Sequence, residues 1–345
     1  MKLSSIASTL VILIASVYIL IAIEGYLIPL IVALIIWFII DAIKDGLETI
    51  PFIRDKVPNW IKSIMPFLVL VFVLGMLVEL LISNIQQLAQ VIPLYQSNIR
   101  RLNEVFMATF EVDAIAWLEN YGREYDFTNI LQNSLNAIST ILSDGFMITI
   151  YVIFIIGEEA MFTKKLRLLY KDEAQYQRMQ KIIAKISKSF SSYITLKSLV
   201  SLVTGVLSYG ILRFIGIDFA LFWAFLIFVL NFIPNIGSLI ATMFPVLAAV
   251  LQYGEWLPAL WVFIGVGSIQ IIVGNFVEPK LMGDSLNISS LVVIIALVTW
   301  GAIWGILGMI LSVPITIMMI IIFSQFHSTK PIAIMLSQNG EIDAL

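Results

Sequence analysis

The stretch Asn231-Phe-Ile-Pro-Asn-Ile-Gly-Ser238 sets two amides, a hydroxyl, a proline and a glycine between two apolar runs, Phe219–Leu230 and Leu239–Leu251. Pro234 removes a backbone donor and disfavours helix at Ile233, while Gly237 permits a close approach or a positive φ. Asn231 and Asn235 then have two uses: they cap the backbone groups freed by the break, or they offer donors and acceptors to a neutral ligand. Gln270, Asn275 and Thr299 are further uncharged polar groups in apolar surroundings, and with Ser238 they suit hydroxyls better than ions. Each serves equally well in a helix-to-helix hydrogen bond. Trp300 and Trp304 fit as apolar walls of such a site or as members of an interfacial belt. The candidate ligand-binding set is therefore Asn231, Pro234, Asn235, Gly237, Ser238, Gln270, Asn275, Thr299, Trp300 and Trp304.

Charge is scarcer. Neither interrupted segment holds a carboxylate, and an ionisable group inside a membrane is by default functional. Glu278, ahead of Pro279 and Lys280, is placed for gating or ion coupling, or for a plain pair with Lys280 at the membrane surface. Asp144 stands in the outer third of a span or at its start, and is the second gating or coupling candidate. Glu79 reads as interfacial, and Lys197 as a side chain that snorkels to the nearer surface. Enzyme chemistry finds no motif here: there is no G-x-x-x-x-G-K-[ST], no H-E-x-x-H, no G-x-S-x-G and no Cys. The single His327 lies in a polar tail, so no metal and no cofactor are expected. A net charge of −3 supplies no basic face for nucleic acid.

The elements that position these residues must lie in a bilayer. Of 345 residues, 60% are hydrophobic and 12% charged, whereas soluble domains are about a quarter charged. Runs near the ~20 residues that a crossing helix needs occur at Ile6–Ile23, Tyr26–Ile40, Ile61–Ser83, Leu135–Gly157, Tyr193–Phe214 and Pro258–Val277. The first run resembles a secretion signal, but its length and the lack of a small-residue cleavage site read as an uncleaved span. Two further segments are interrupted: Phe219–Leu251 across the Asn231–Ser238 stretch, and Leu291–Phe323 across Gly301–Gly308. This predicts an all-α polytopic membrane protein with about eight membrane segments, two of them broken or re-entrant helical hairpins.

Orientation follows from Lys and Arg. Residues 41–62 carry four and 158–192 carry eight, against three in 84–134, which places the first two segments in the cytoplasm and the third outside. Both termini then fall in the cytoplasm. The predicted organisation is 1–83 as N-terminal membrane helices, 84–134 as a small extracytoplasmic helical cap, and 135–157 as a membrane helix. A basic amphipathic segment (158–192), a core with both broken hairpins (193–323) and a tail (324–345) follow. The basic segment reads as a surface drawn to anionic membrane lipids. Tyr193–Leu251 and Pro258–Phe323 share an order: a full helix, a short one, a glycine-containing break, and a helix with an internal proline. Pro245 follows Gly237 by eight positions and Pro314 follows Gly305 by nine. Their opposite starting sides make an inverted repeat, the plan of many secondary transporters.

The stretches "FIPNIGSLIATMFPVLAAV", "NFVEPKLMGDSLNISSLVVIIAL" and "WGAIWGILGMILSVPITIMM" resemble the signatures of the AI-2E family of membrane transporters. The likeness runs to the tail "AIMLSQNGE". Many members carry Pro-Tyr-x-Gly-Pro at the first break; Pro234-Asn-Ile-Gly-Ser238, with Asn275-x-x-Glu-Pro279, resembles the autoinducer-2 exporter branch. The resemblance implies a bacterial cytoplasmic (inner) membrane protein, a homo-oligomer with a pentamer as the expected number, and export of a small molecule such as the quorum-sensing signal autoinducer-2. Other branches imply cation/proton antiport. A non-transporting membrane scaffold is the third reading, and it leaves the two broken helices unexplained.

Overall fold

The computed structural model describes residues 3–110, 127–282 and 287–340. Residues 111–126 in the middle of the expected cap, 283–286, and the last five of the tail lie outside the described residues. Among the described residues regular structure is helical, apart from an isolated bridge between Ile288 and Ser337. Helix α1 (Leu3–Ala22) ends where Ile23 leaves helical geometry, and α2 (Glu24–Glu48) starts on Glu24, whose carboxylate suits a helix N-terminus. A short α3 (Pro51–Lys56) follows.

The next three helices are longer than the apolar runs inside them. Helix α4 (Asn59–Phe110) has 52 residues, roughly 78 Å at the usual rise, yet only Ile64–Asn84 is apolar enough to cross a membrane. The described start of the expected cap therefore continues the helix of a span without a break. Helix α5 (Phe127–Leu169) begins before the expected Leu135 and bends by 59° between Asp144–Glu159 and Met161–Leu169. Helix α6 (Glu173–Ile215) fuses most of the basic segment to the fifth span. The remaining elements are α7 (Ala220–Leu230), α8 (Ile236–Tyr253), α9 (Trp256–Ile272), a π turn (Val273–Val277), α10 (Glu278–Met282), α11 (Ser290–Ser324) and α12 (Lys330–Leu336). Among the described residues six helices are long and apolar enough to cross a membrane, or up to seven with the bent pair.

The chain divides into two compact units. The first comprises Met1–Phe67, Asp144–Leu196 and Met282–Leu345. One of its cores joins Phe190, Tyr193 and Ile194 to Val313, Ile317, Ile320 and Ile321; another joins Ala33 and Ile40 to Val152. Its polar ends are tied together as well. The Trp37 indole donates to Glu159 at 3.0 Å, Lys62 pairs with Glu48 at 3.3 Å, and Arg178 donates to the Gln325 carbonyl at 2.8 Å.

The second unit comprises Leu68–Ser143 and Lys197–Leu281. Its core is Leu212, Ile217, Ala220, Ile227, Ala241, Ala249, Ala259, Val262 and Val266. The far end of α4 has a clear task here. A helix leaves its last carbonyls without partners, and for α8 these are met by Asn98, which donates to Leu251 and Gln252 O at 2.9 and 2.7 Å, and by Arg101, which donates to Tyr253 and Gly254 O at 2.9 and 3.1 Å. Tyr95 donates to Asp218 at 3.3 Å and ties down the turn between α6 and α7.

Candidate functional site

The first break is closed by backbone. Phe232 and Ile233 N–H donate to Val229 and Leu230 O at 3.2 and 2.9 Å, and Gly237 N–H to Ile233 O at 3.2 Å. Asn235 takes a positive φ of 57° with its side chain exposed, and neither asparagine side chain caps a helix. Asn231 instead makes a contact between helices: its amide donates to Ser201 of α6 at 3.0 Å, and the residue is 7% exposed. Ser238 Oγ donates to Asn235 O at 3.0 Å, and Pro234 is half-buried. Gly237 is indispensable for geometric reasons. A Cβ there would lie 1.9 Å from Leu230 O, so the first turn of α8 rests directly on the last carbonyl of α7.

Around Asn231 the second unit gathers polar side chains that the sequence left scattered. Lys197, Ser201, Thr204 and Ser208 form one buried stripe along α6. Leu199, Leu202, Val206 and Leu207, on its other side, are exposed. The helix is amphipathic inside out, as lipid solvation requires. Lys197, 5% exposed, makes an ion pair with Glu278. This corrects one expectation: Glu278 takes Lys197 rather than Lys280 as its partner. The π turn explains the reach. Pro279 has no N–H to give Asn275 O, and Glu278 N–H donates to Val273 O instead, five residues back. The extra residue makes the eight positions from Gln270 to Glu278 equal to about two α turns, so both side chains share a face. Gln270 is 8% exposed and its amide nitrogen has no hydrogen-bond partner among the described residues; Asn275 is exposed.

The other predicted residues belong to the first unit. Helix α11 is two helices merged across a break at Trp304 and Gly305, the latter with φ 59°. Here Gly308 does the work of Gly237: a Cβ would lie 1.9 Å from Trp300 O. The equivalence expected between Gly237 and Gly305 thus moves three residues on, and Gly305 matches Asn235 as the residue of positive φ. The rings of Trp300 and Trp304 stand 5.0 Å apart, and the Trp304 indole is buried and donates to Leu20 O at 3.2 Å. Thr299 is exposed and Asp144 half-buried within continuous α5. The predicted set therefore falls into two groups, one in each unit. Ser201, Thr204 and Ser208 were not anticipated, although their spacing from Lys197 on one helical face was readable. Among the described residues no cluster of His, Cys, Asp and Glu could hold a metal ion.

Apolar spans, two glycine-closed helix breaks and a polar stripe turned inward define the class: a multi-pass membrane protein that keeps polar groups inside and apolar ones toward lipid. Known sequences narrow it further. The profile described as AI-2E family transporter matches residues 8–328. The chain is 30% identical over 315 residues to the AI-2 transport protein TqsA of Escherichia coli (strain K12), covering 90% of this chain and 89% of that protein. It is 31% identical over 291 residues to a Haemophilus influenzae protein named "Putative transport protein", covering 82% and 83%. The chain belongs to the AI-2E family and is a membrane transporter.

Proposed function

We propose that this transporter exports a small neutral polar metabolite, autoinducer-2 or a chemically close compound, across the bacterial cytoplasmic membrane. The observation that carries the reading is the interior of the second unit. Its buried polar groups Ser201, Thr204, Ser208, Asn231 and Gln270 are neutral hydroxyls and amides, and Lys197 and Glu278 cancel one another. Such a lining can replace the water around a hydroxylated solute without holding a counter-ion. Similarity to a protein named for AI-2 transport supports the same substrate. In this reading the two breaks belong to an inverted repeat, both termini face the cytoplasm, and the chain works as a homo-oligomer, a pentamer.

The test is efflux of autoinducer-2 from proteoliposomes, with and without a pH gradient. Asn231→Ala should lower efflux about tenfold at equal protein level, the worth of one neutral hydrogen bond of ~1.4 kcal/mol. Asn235→Gly, which keeps the positive φ and removes the amide, should lower it as well. If neither changes, the break is purely structural. The buried Lys197–Glu278 pair favours a second reading, proton-coupled antiport. Efflux that follows the pH gradient, and loses that dependence in Glu278→Gln, would replace the first reading with the second.

A further inference from the structure

Helices α6 and α9 meet where Gly265 packs on Ile211: a Cβ on Gly265 would lie 2.7 Å from Ile211 Cγ2. On one side of that crossing the neighbouring buried residues are apolar: Leu212 on α6, Val262 on α9, both in the core of the second unit. On the other side both helices turn polar within about a turn and a half. The stripe of α6 changes from Leu212 to Ser208, four residues away, and that of α9 from Val266 to Gln270, also four. Beyond them lie Thr204, then Ser201 with Asn231, then the ion pair of Lys197 with Glu278.

The hydrogen bonds along this stripe are satisfied at one end and open at the other. Lys197 has Glu278, Ser201 accepts from Asn231 at 3.0 Å, and Thr204 donates to Val200 O at 2.8 Å. Ser208 Oγ, 0% exposed, and Gln270 Nε2, in a residue 8% exposed, have no partner among the described residues. Buried polar groups are ordinarily hydrogen-bonded, to protein or to ordered water, and in lipid the requirement is stricter. A hydroxyl that donates and accepts, with an amide N–H₂ that donates, matches the oxygen of a neutral hydroxyl-bearing molecule.

We infer that Ser208 and Gln270 form the floor of a water-accessible path along α6, where an oxygen of a neutral hydroxylated solute is held, and that the Lys197–Glu278 pair stands toward its mouth. The inference deepens the proposed export reading, since the same chemistry serves a bound water or a hydroxyl of autoinducer-2. The sequence contains no Cys, so single cysteines report cleanly. Ser201→Cys, Thr204→Cys, Ser208→Cys and Gln270→Cys in membranes should react with a small methanethiosulfonate about tenfold faster than Leu212→Cys, because thiols in apolar packing are inert. Slowing of Ser208→Cys and Gln270→Cys by added autoinducer-2 identifies substrate as the occupant. Fast reaction without protection keeps the path, with water in it, and removes autoinducer-2 from this site. If Ser208→Cys and Gln270→Cys, folded and monodisperse, react as slowly as Leu212→Cys, the path does not exist.

Discussion

Tyr95 is 8% exposed and donates to the Asp218 carboxylate. Burial first, then the negative charge of Asp218 and the hydrogen bond to it, push its phenol well above the ordinary range. Below about pH 10 the folded and unfolded chains both keep the proton, and this group adds no pH dependence. Above it the unfolded chain releases the proton while the folded chain holds it, so stability falls as pH rises, by up to ~1.4 kcal/mol per unit. Tyr95→Phe should cost about 1 kcal/mol at neutral pH through the lost hydrogen bond. Thermal unfolding in detergent should then show the wild-type advantage shrinking in the alkaline range; an advantage that stays constant would mean the phenol is not held protonated by the fold. At this scale the sequence displayed residue types but not partners. Asn231 finds Ser201 across 30 positions and Glu278 finds Lys197 across 81, and helical periodicity fixes a face without saying which helix covers it.

The two helix breaks reach one steric solution from different sequences. In each, a glycine in the first turn after the break sits on a carbonyl from the helix before it: Gly237 on Leu230 O, Gly308 on Trp300 O. A methyl group 1.9 Å from a backbone oxygen cannot be absorbed by a side-chain rotation, so the hairpin itself must open. Gly237→Ala and Gly308→Ala should each cost at least ~3 kcal/mol, the upper range for overpacking, and lose monodispersity in size-exclusion chromatography. Gly267, with no neighbour within 4 Å of its would-be Cβ, is the control: Gly267→Ala should be neutral or stabilising by up to about 1 kcal/mol, as expected for a helix interior. Equal behaviour of all three variants would remove the steric account. The breaks themselves were legible, because Pro, Gly and Asn in an apolar run have few other readings. The full lengths of α4 and α6 were not. Polar continuation of a helix past the membrane carries no stop signal, and hydropathy reports only where lipid ends.

For the whole molecule, charge counting and hydrogen bonding make statements about sidedness that arise independently. Carried across the spans that follow, the Lys and Arg census predicts Gly254–Glu255 on the same side as residues 84–134, and in the second unit Arg101 donates to Tyr253 and Gly254 O and pairs with Glu255 at 3.4 Å. The census also groups residues 41–62, 158–192 and the tail. In the first unit Lys44 pairs with Glu159 at 3.8 Å, and Arg178 donates to Gln325 O. Groups outside the spans that share a hydrogen bond lie on one side of the membrane, so each such bond requires an even number of crossings between its partners. Which surface is which rests on the excess of Lys and Arg, eight in 158–192 against three in 84–134. Single cysteines at exposed Glu104, Gln175 and His327 convert that excess into a measurement with a membrane-impermeant maleimide. Glu104→Cys should label on intact cells, whereas Gln175→Cys and His327→Cys should label only after permeabilisation. The opposite pattern would invert the molecule and overturn the cytoplasmic placement of both termini. Gln175→Cys and His327→Cys labelling from opposite sides would contradict the Arg178–Gln325 bond, and with it the first unit as described.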